Sequence, residues 1–171
     1  MPRLLVWMLL GVLPGCATLS ENECRSADWY EIGERDGSAG HSRSRVEEHA
    51  EACRKLGIIP DRSAYYSGRE QGLYRYCTPE NGYELGRTGR SYGHVCVGER
   101  ESRFLVQYRR GKQLYDLEQE IRHEHREIER LEQQLQKAAG DGERSTLRRQ
   151  IAERDRQLIL LRRRLGLLDS M

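Results

Sequence analysis

Long hydrophobic runs are what this 171-residue chain most lacks. Its longest apolar stretch, Leu4 to Leu13, covers about ten residues, half of the roughly 20 that a membrane-spanning helix needs. An excess of charge of either sign is also missing. Residues 17–113 carry 16 Lys and Arg against 15 Asp and Glu, and residues 114–171 carry 12 against 12, a balance that leaves no electrostatic footprint for nucleic acid. Aromatic residues stop at Tyr115, and the remainder of the chain is built mainly from Leu, Ile, Glu, Gln and Arg. Catalytic signatures are wanting too: His41, His49, His94, His123 and His125 are scattered, with no nucleophile elbow, zinc signature or phosphate loop. Neither an enzyme nor a cofactor is expected. The one acidic cluster, Glu31, Glu34 and Asp36, is where a glycan-cleaving acid would fit, but acids in the first half of a helix more often serve its dipole.

The N-terminus carries the first positive signal. Met1-Pro2-Arg3 and the apolar run after it have the form of a secretory signal, and Leu13-Pro14-Gly15-Cys16 resembles the lipobox of bacterial lipoproteins. That resemblance implies a signal peptide over 1–15, lipidation of Cys16 (diacylation, with palmitate-like chains) and a lipidated linker over 16–23. Ala17, in place of Asp after the cysteine, implies sorting to the outer membrane, facing the periplasm. More than one acyl chain is needed for a stable anchor, since each buried CH₂ contributes about 0.8 kcal/mol. The competing reading is an ordinary signal peptide whose Cys16 enters a disulfide.

Cys24, Cys53, Cys77 and Cys96 remain, an even number in a compartment where disulfides persist. Four cysteines allow three pairings. Cys24 with Cys53 and Cys77 with Cys96 is preferred, because each closes a local loop around one turn. His49 and Cys53, at helical i, i+4 spacing, make the best case for a metal site, but a second close pair of ligands is lacking and none is expected.

A short phrase recurs between Trp29 and Tyr115. It reads Tyr30-x-x-Gly33-x-x-x-Gly37, then Tyr65-x-x-Gly68-x-x-x-Gly72-x-x-x-Tyr76, then, altered, Tyr83-x-x-Gly86-x-x-Gly89-x-x-Tyr92 and Tyr108-x-x-Gly111-x-x-x-Tyr115. These spacings lie along one face of a helix, and Gly at i, i+4 leaves a notch for another helix backbone or a ring. Each interior Gly costs a helix about 1 kcal/mol relative to Ala, so close packing must offset it. The aliphatic complement, Ile32, Val46, Leu56, Leu73, Leu85 and Val95, is thin. Helices are predicted over 26–40, 44–56 and 64–76, with a brief turn after Thr78-Pro79, where Thr suits an N-cap and Pro the first helical position. Strands over 92–97 and 104–108 are the alternative for the end of this region. Tyrosines over glycine notches read first as core, and second as a stacking surface for glycan or peptide.

The order Trp29-x-x-x-Gly33-x-x-Asp36-Gly37-x-x-Gly40, Tyr65-x-x-Gly68-x-x-x-Gly72-Leu73-x-x-Tyr76-Cys77-x-Pro79-x-Asn81-Gly82 and Gly86-x-x-Gly89-x-x-Tyr92-x-x-Val95-Cys96 resembles an uncharacterised family of bacterial lipoproteins, known only as a domain of unknown function. The resemblance implies an envelope lipoprotein and transfers no catalytic residue.

The C-terminal part carries two heptad seams. Leu114, Leu117, Ile121, Glu124, Ile128, Leu131, Leu135 and Ala138 form one, and Leu147, Ile151, Arg154, Leu158, Leu161, Leu165 and Leu168 the other, with Gly140-Asp141-Gly142 between them. Folding back about Asp141 sets Leu135 against Leu147 and Leu131 against Ile151, with Glu124 and Arg154 in adjacent layers. On the flanks, Glu132 faces Arg148, His125 faces Asp155, Glu118 faces Arg162 and Glu120 faces Arg164. The expected fold is mainly α: a small disulfide-stapled helical module over 24–111, then an antiparallel coiled-coil hairpin over 112–169. The expected role is a non-enzymatic periplasmic adaptor or structural protein of the cell envelope, anchored to the membrane by lipid and meeting an envelope protein partner through the hairpin. The competing roles are a glycan- or peptide-binding module and, less readily, a peptidoglycan-acting enzyme. The oligomeric state is left open.

Overall fold

The computed structural model describes residues 18–170, so Cys16 and the signal-like segment lie outside the described residues. Seven α-helices and one 3-10 turn account for the described fold, with no strand among those residues. They are α1 Glu21–Arg25, α2 Trp29–Ser38, α3 Arg45–Cys53, the 3-10 turn Arg54–Leu56, α4 Arg62–Tyr76, α5 Pro79–Arg87, α6 Gly98–Lys137 and α7 Asp141–Asp169. The chain divides into two compact units between Tyr74 and Arg75.

Local chemistry sets most helix ends in the first unit. Ser20 and Glu23 form a reciprocal capping box at α1. The Asp28 carboxylate accepts from the amides of Tyr30 (2.9 Å) and Glu31 (3.0 Å), so α2 starts at Trp29 and not at Ser26. Beyond the 3-10 turn, Gly57 takes the left-handed conformation, φ 69°, that ends a helix without a Cβ penalty. Residues 18–23 are folded where a linker was expected: Leu19 is buried in a core with Cys24, Ile32, Val46, Cys53 and Tyr65. Cys24 is bonded to Cys53 across this core.

The two longer helices of this unit cross backbone to backbone. A Cβ on Gly33 would overlap the carbonyl oxygen of Tyr65 and lie 2.8 Å from its carbonyl carbon; a Cβ on Gly68 would meet the Tyr30 carbonyl in the same way, again 2.8 Å from the carbon. Gly37 stands likewise against the Arg69 carbonyl, and Gly72 against that of Glu34. Each glycine turns a Cα–H toward the facing oxygen, a contact worth about 0.5–1 kcal/mol. These contacts, with the burial they permit, offset the propensity cost of four glycines in two helices.

The same crossing recurs in the second unit. Thr78 caps α5 by accepting from the Asn81 amide at 3.2 Å, with Pro79 in the first turn. The brief turn expected here is a nine-residue helix. Gly86 stands against the Tyr108 carbonyl and Gly111 against that of Tyr83, so α5 and α6 exchange glycines and tyrosine carbonyls as α2 and α4 do. Cys77 is bonded to Cys96. Phe104 is fully buried among Tyr76, Tyr92 and Tyr108, with ring centroids 4.6 to 6.3 Å away. The strand alternative fails here: residues 104–108 belong to α6, and 92–97 form irregular chain.

The compositional boundary at Gly111 is not a structural one. At 40 residues, α6 runs through it for about 60 Å, because Gly111 is the notch that α5 fills. The distal half of α6 packs antiparallel on α7, which spans about 43 Å. Leu131, Ala138 and Leu147 form a buried cluster, with Leu135 and Ile151 against it. At the turn, the Arg144 guanidinium donates to the Ala138 carbonyl at 3.0 Å.

Candidate functional site

Four segments of the first unit converge on one buried polar cluster. α2 supplies Asp36, α3 supplies His49, α4 supplies Tyr65, and the residues leading into α1 supply Thr18. His49 Nε2 lies 2.7 Å from Asp36 Oδ2, and His49 Nδ1 lies 2.7 Å from the Thr18 hydroxyl. The Tyr65 hydroxyl donates to the same Asp36 oxygen at 2.7 Å. Asp36 and His49 are buried, and Tyr65 completely so. Below them, Arg69 of α4 donates through Nε and Nη2 to the His41 carbonyl, at 3.2 and 2.7 Å.

Burial pushes the Asp36 carboxyl up, but hydrogen bonds from His49 and Tyr65, helped by the charges of His49 and then His41, outweigh it and hold the carboxyl below the usual Asp range. Burial, then the bond to Asp36, pushes the Tyr65 phenol far up, so it stays a donor. With Asp36 ionised, His49 donates to it from Nε2, and Nδ1 faces the Thr18 hydroxyl. The order hydroxyl, imidazole, carboxylate is that of a nucleophile relay. Here the imidazole is only 1% exposed. Chemically the cluster acts as a clasp that ties the chain at Thr18 to three helices.

The residues singled out from sequence separate in space. Of the acidic cluster, only Asp36 enters the clasp, while Glu31 is exposed on the far side of α2. His49 and Cys53 do not form a ligand pair, since the Cys53 sulfur is bonded to Cys24. Gly33, Gly37, Gly68 and Gly72 meet at the α2–α4 crossing. Three phrase tyrosines, Tyr65, Tyr76 and Tyr92, are core residues, which takes their rings away from any ligand. Sequence reasoning missed Thr18 as the partner of His49 and Tyr65 as a partner of Asp36, and only the recurrence of Tyr65 in the glycine phrase drew notice to it.

In the hairpin, Arg154 Nη1 donates to both Glu124 oxygens, at 3.0 and 3.1 Å. Two flank pairs, Glu118 with Arg162 and His125 with Asp155, differ from the heptad expectation. Glu118 is held by Arg87 of α5, through Nη1 at 2.8 Å and also through Nη2, and Arg162 instead approaches His125 Nε2 at 2.8 Å. A seam read from the hairpin alone cannot register that α5 packs on the same stretch of α6.

These features define a class: two small helical units, each stapled by one disulfide and organised by a reciprocal glycine crossing, the second continued into a helical hairpin. The chain belongs to the family described as protein of unknown function (DUF2799), which matches residues 28–113. The match opens at the Asp28 cap and ends at Gln113, so it takes in both glycine crossings. No curated protein and no solved structure matches the chain.

Proposed function

We propose that this protein is a lipid-anchored, non-enzymatic component of the bacterial cell envelope, held at the outer membrane through Cys16, with its helical hairpin as the element that meets a partner protein. The observation that carries this reading is the clasp at Thr18. Only Ala17 stands between Thr18 and the cysteine of the lipobox-like sequence, so at most about 7 Å of extended chain separates the acylated residue from the buried His49–Asp36 pair. A free N-terminal tail has no need of a disulfide-stapled unit gripping it so close to the lipobox-like cysteine, whereas an anchor that must hold that unit at the membrane surface does. The burial of Tyr65, Tyr76 and Tyr92 weighs against the glycan-binding alternative.

Two measurements test it. Incorporation of labelled palmitate should be lost in Cys16→Ala, with the protein leaving the membrane fraction; retention of label would refute the anchor. Photo-crosslinking in cells from Arg126 and Arg149, exposed on α6 and α7, should give one discrete adduct. Absence of any adduct, with the anchor intact, would make the hairpin a brace and end the adaptor reading.

A further inference from the structure

The outward face of α7 changes character after Asp155. Elsewhere the surfaces of α6 and α7 carry charges of both signs, paired along the helix: Arg103 with Glu99, Lys112 with Asp116, Arg130 with Glu127, Arg156 with Glu153. Between Asp155 and Asp169 there is no acid at all, only four Arg, seven Leu or Ile, Gln157 and Gly166. Leu158 and Leu161 are buried against α6, but Ile159, Leu160 and Leu167 are 63%, 61% and 62% exposed. Arg163 and Arg164 stand exposed beside them. On α6, Glu118 is engaged by Arg87 and Asp116 by Lys112.

We infer that these last three turns of α7 bind the surface of an anionic lipid bilayer, with Ile159, Leu160 and Leu167 entering the headgroup region and Arg163 and Arg164 on the lipid phosphates. Exposed aliphatic side chains interleaved with guanidiniums, and no acid, are the composition of an interfacial helix. A groove on a protein reads a stripe at three- and four-residue steps. Here Ile159 lies about 100° around the helix from Leu160, a spread that suits a fluid interface better than a groove. The inference rests on the anchored reading of the protein, since the anchor brings the helix to a membrane.

The test uses the acylated full chain in vesicles of phosphatidylcholine alone, or mixed in roughly equal parts with phosphatidylglycerol. An environment-sensitive fluorophore is placed through Leu160→Cys and, as a control, through Arg149→Cys, the native cysteines being bonded or acylated. The probe at 160 should shift to the blue and be quenched from the lipid phase in the anionic vesicles only, with the probe at 149 unchanged. Arg163→Gln and Arg164→Gln should each lower the inserted fraction about fivefold. A probe at 160 that stays in water with both vesicles overturns the proposal. A shift that follows protein concentration rather than lipid charge also overturns it and assigns the face to a second copy of the chain. Flotation with the neutral vesicles reports the anchor separately. If flotation fails, the probe is still read at excess anionic vesicle, where an unshifted signal refutes the helix contact on its own.

Discussion

The carbonyl oxygen of Tyr65 fills the place where Gly33 would carry a side chain, and the carbonyl of Tyr30 does the same at Gly68. Tyr83 with Gly111 and Tyr108 with Gly86 repeat this exchange in the second unit. The Tyr-x-x-Gly phrase is therefore a pairing rule between helices, with tyrosine providing the carbonyl and glycine the gap. The tyrosine rings then do separate work: Tyr65 enters the clasp, and Tyr108 stacks on Phe104 and donates to the Arg90 carbonyl at 3.1 Å.

Adding one methyl at this crossing should be far worse than helix propensity suggests. Gly33→Ala or Gly68→Ala forces two backbones apart and should destabilise by about 3 kcal/mol. Gly166→Ala, with nothing within 4 Å, should stabilise by about 0.5–1 kcal/mol. Urea midpoints of the three variants decide it; equal effects at all three sites would refute backbone contact at the crossing.

The clasp should show in the pH dependence of stability. Because Asp36 is held below its ordinary value of 3.8, its contribution is fully present above that pH and is lost as pH falls further, through the folded-state value. Asp36→Asn should cost about 3 kcal/mol near neutrality, with the gap from wild type closing below about pH 4. Denaturant midpoints across that range check the sign, and a gap that widens in acid would contradict it.

Tyr65→Phe keeps the buried ring and removes one donor to the ionised Asp36. The expected cost is about 1.5–3 kcal/mol, and acid unfolding should begin at higher pH, since the carboxyl loses part of what holds it low. A titration curve identical to wild type would show that the hydroxyl does not support Asp36.

Opening either disulfide by paired Cys→Ser substitution should cost about 3–4 kcal/mol for loops of 29 and 19 residues. The chain-entropy argument puts the Cys24–Cys53 bridge slightly ahead. Thermal melts of the two double variants, with and without reductant on the wild type, test both the size and the order.

Glu124 and Arg154 are the two polar residues of the leucine seams and bridge adjacent layers. Glu124→Leu together with Arg154→Leu should keep the helices, leave stability equal or higher, and loosen the orientation or oligomeric state that the pair specifies. Unchanged sedimentation, together with unchanged cross-links between cysteines placed across the arms, would argue against that role.

Much of what a single segment fixes was legible in the sequence. Thr78-Pro79 is a cap because one side chain and one ring act within four residues, and the leucine seams are periodic because a helix returns the same face every 3.6 residues. The mainly helical fold and the notches at Gly33, Gly37, Gly68 and Gly72 came from such spacings. Features that depend on a neighbour were not legible. Gly111 reads as a boundary because the aromatic residues give out just beyond it, and only α5, seated in that notch, shows that α6 continues through it. Glu118 reads as a flank of the hairpin until Arg87 arrives from α5. Thr18, Asp36, His49 and Tyr65 lie on four segments that no periodicity links. Their assembly is decided by burial, because a carboxylate and an imidazole taken out of water must find each other's hydrogen bonds. The sequence by itself determined the helices and the faces they present, through local sterics and period. Only the tertiary structure decided which faces meet, because that choice depends on volumes and polar partners brought from distant parts of the chain.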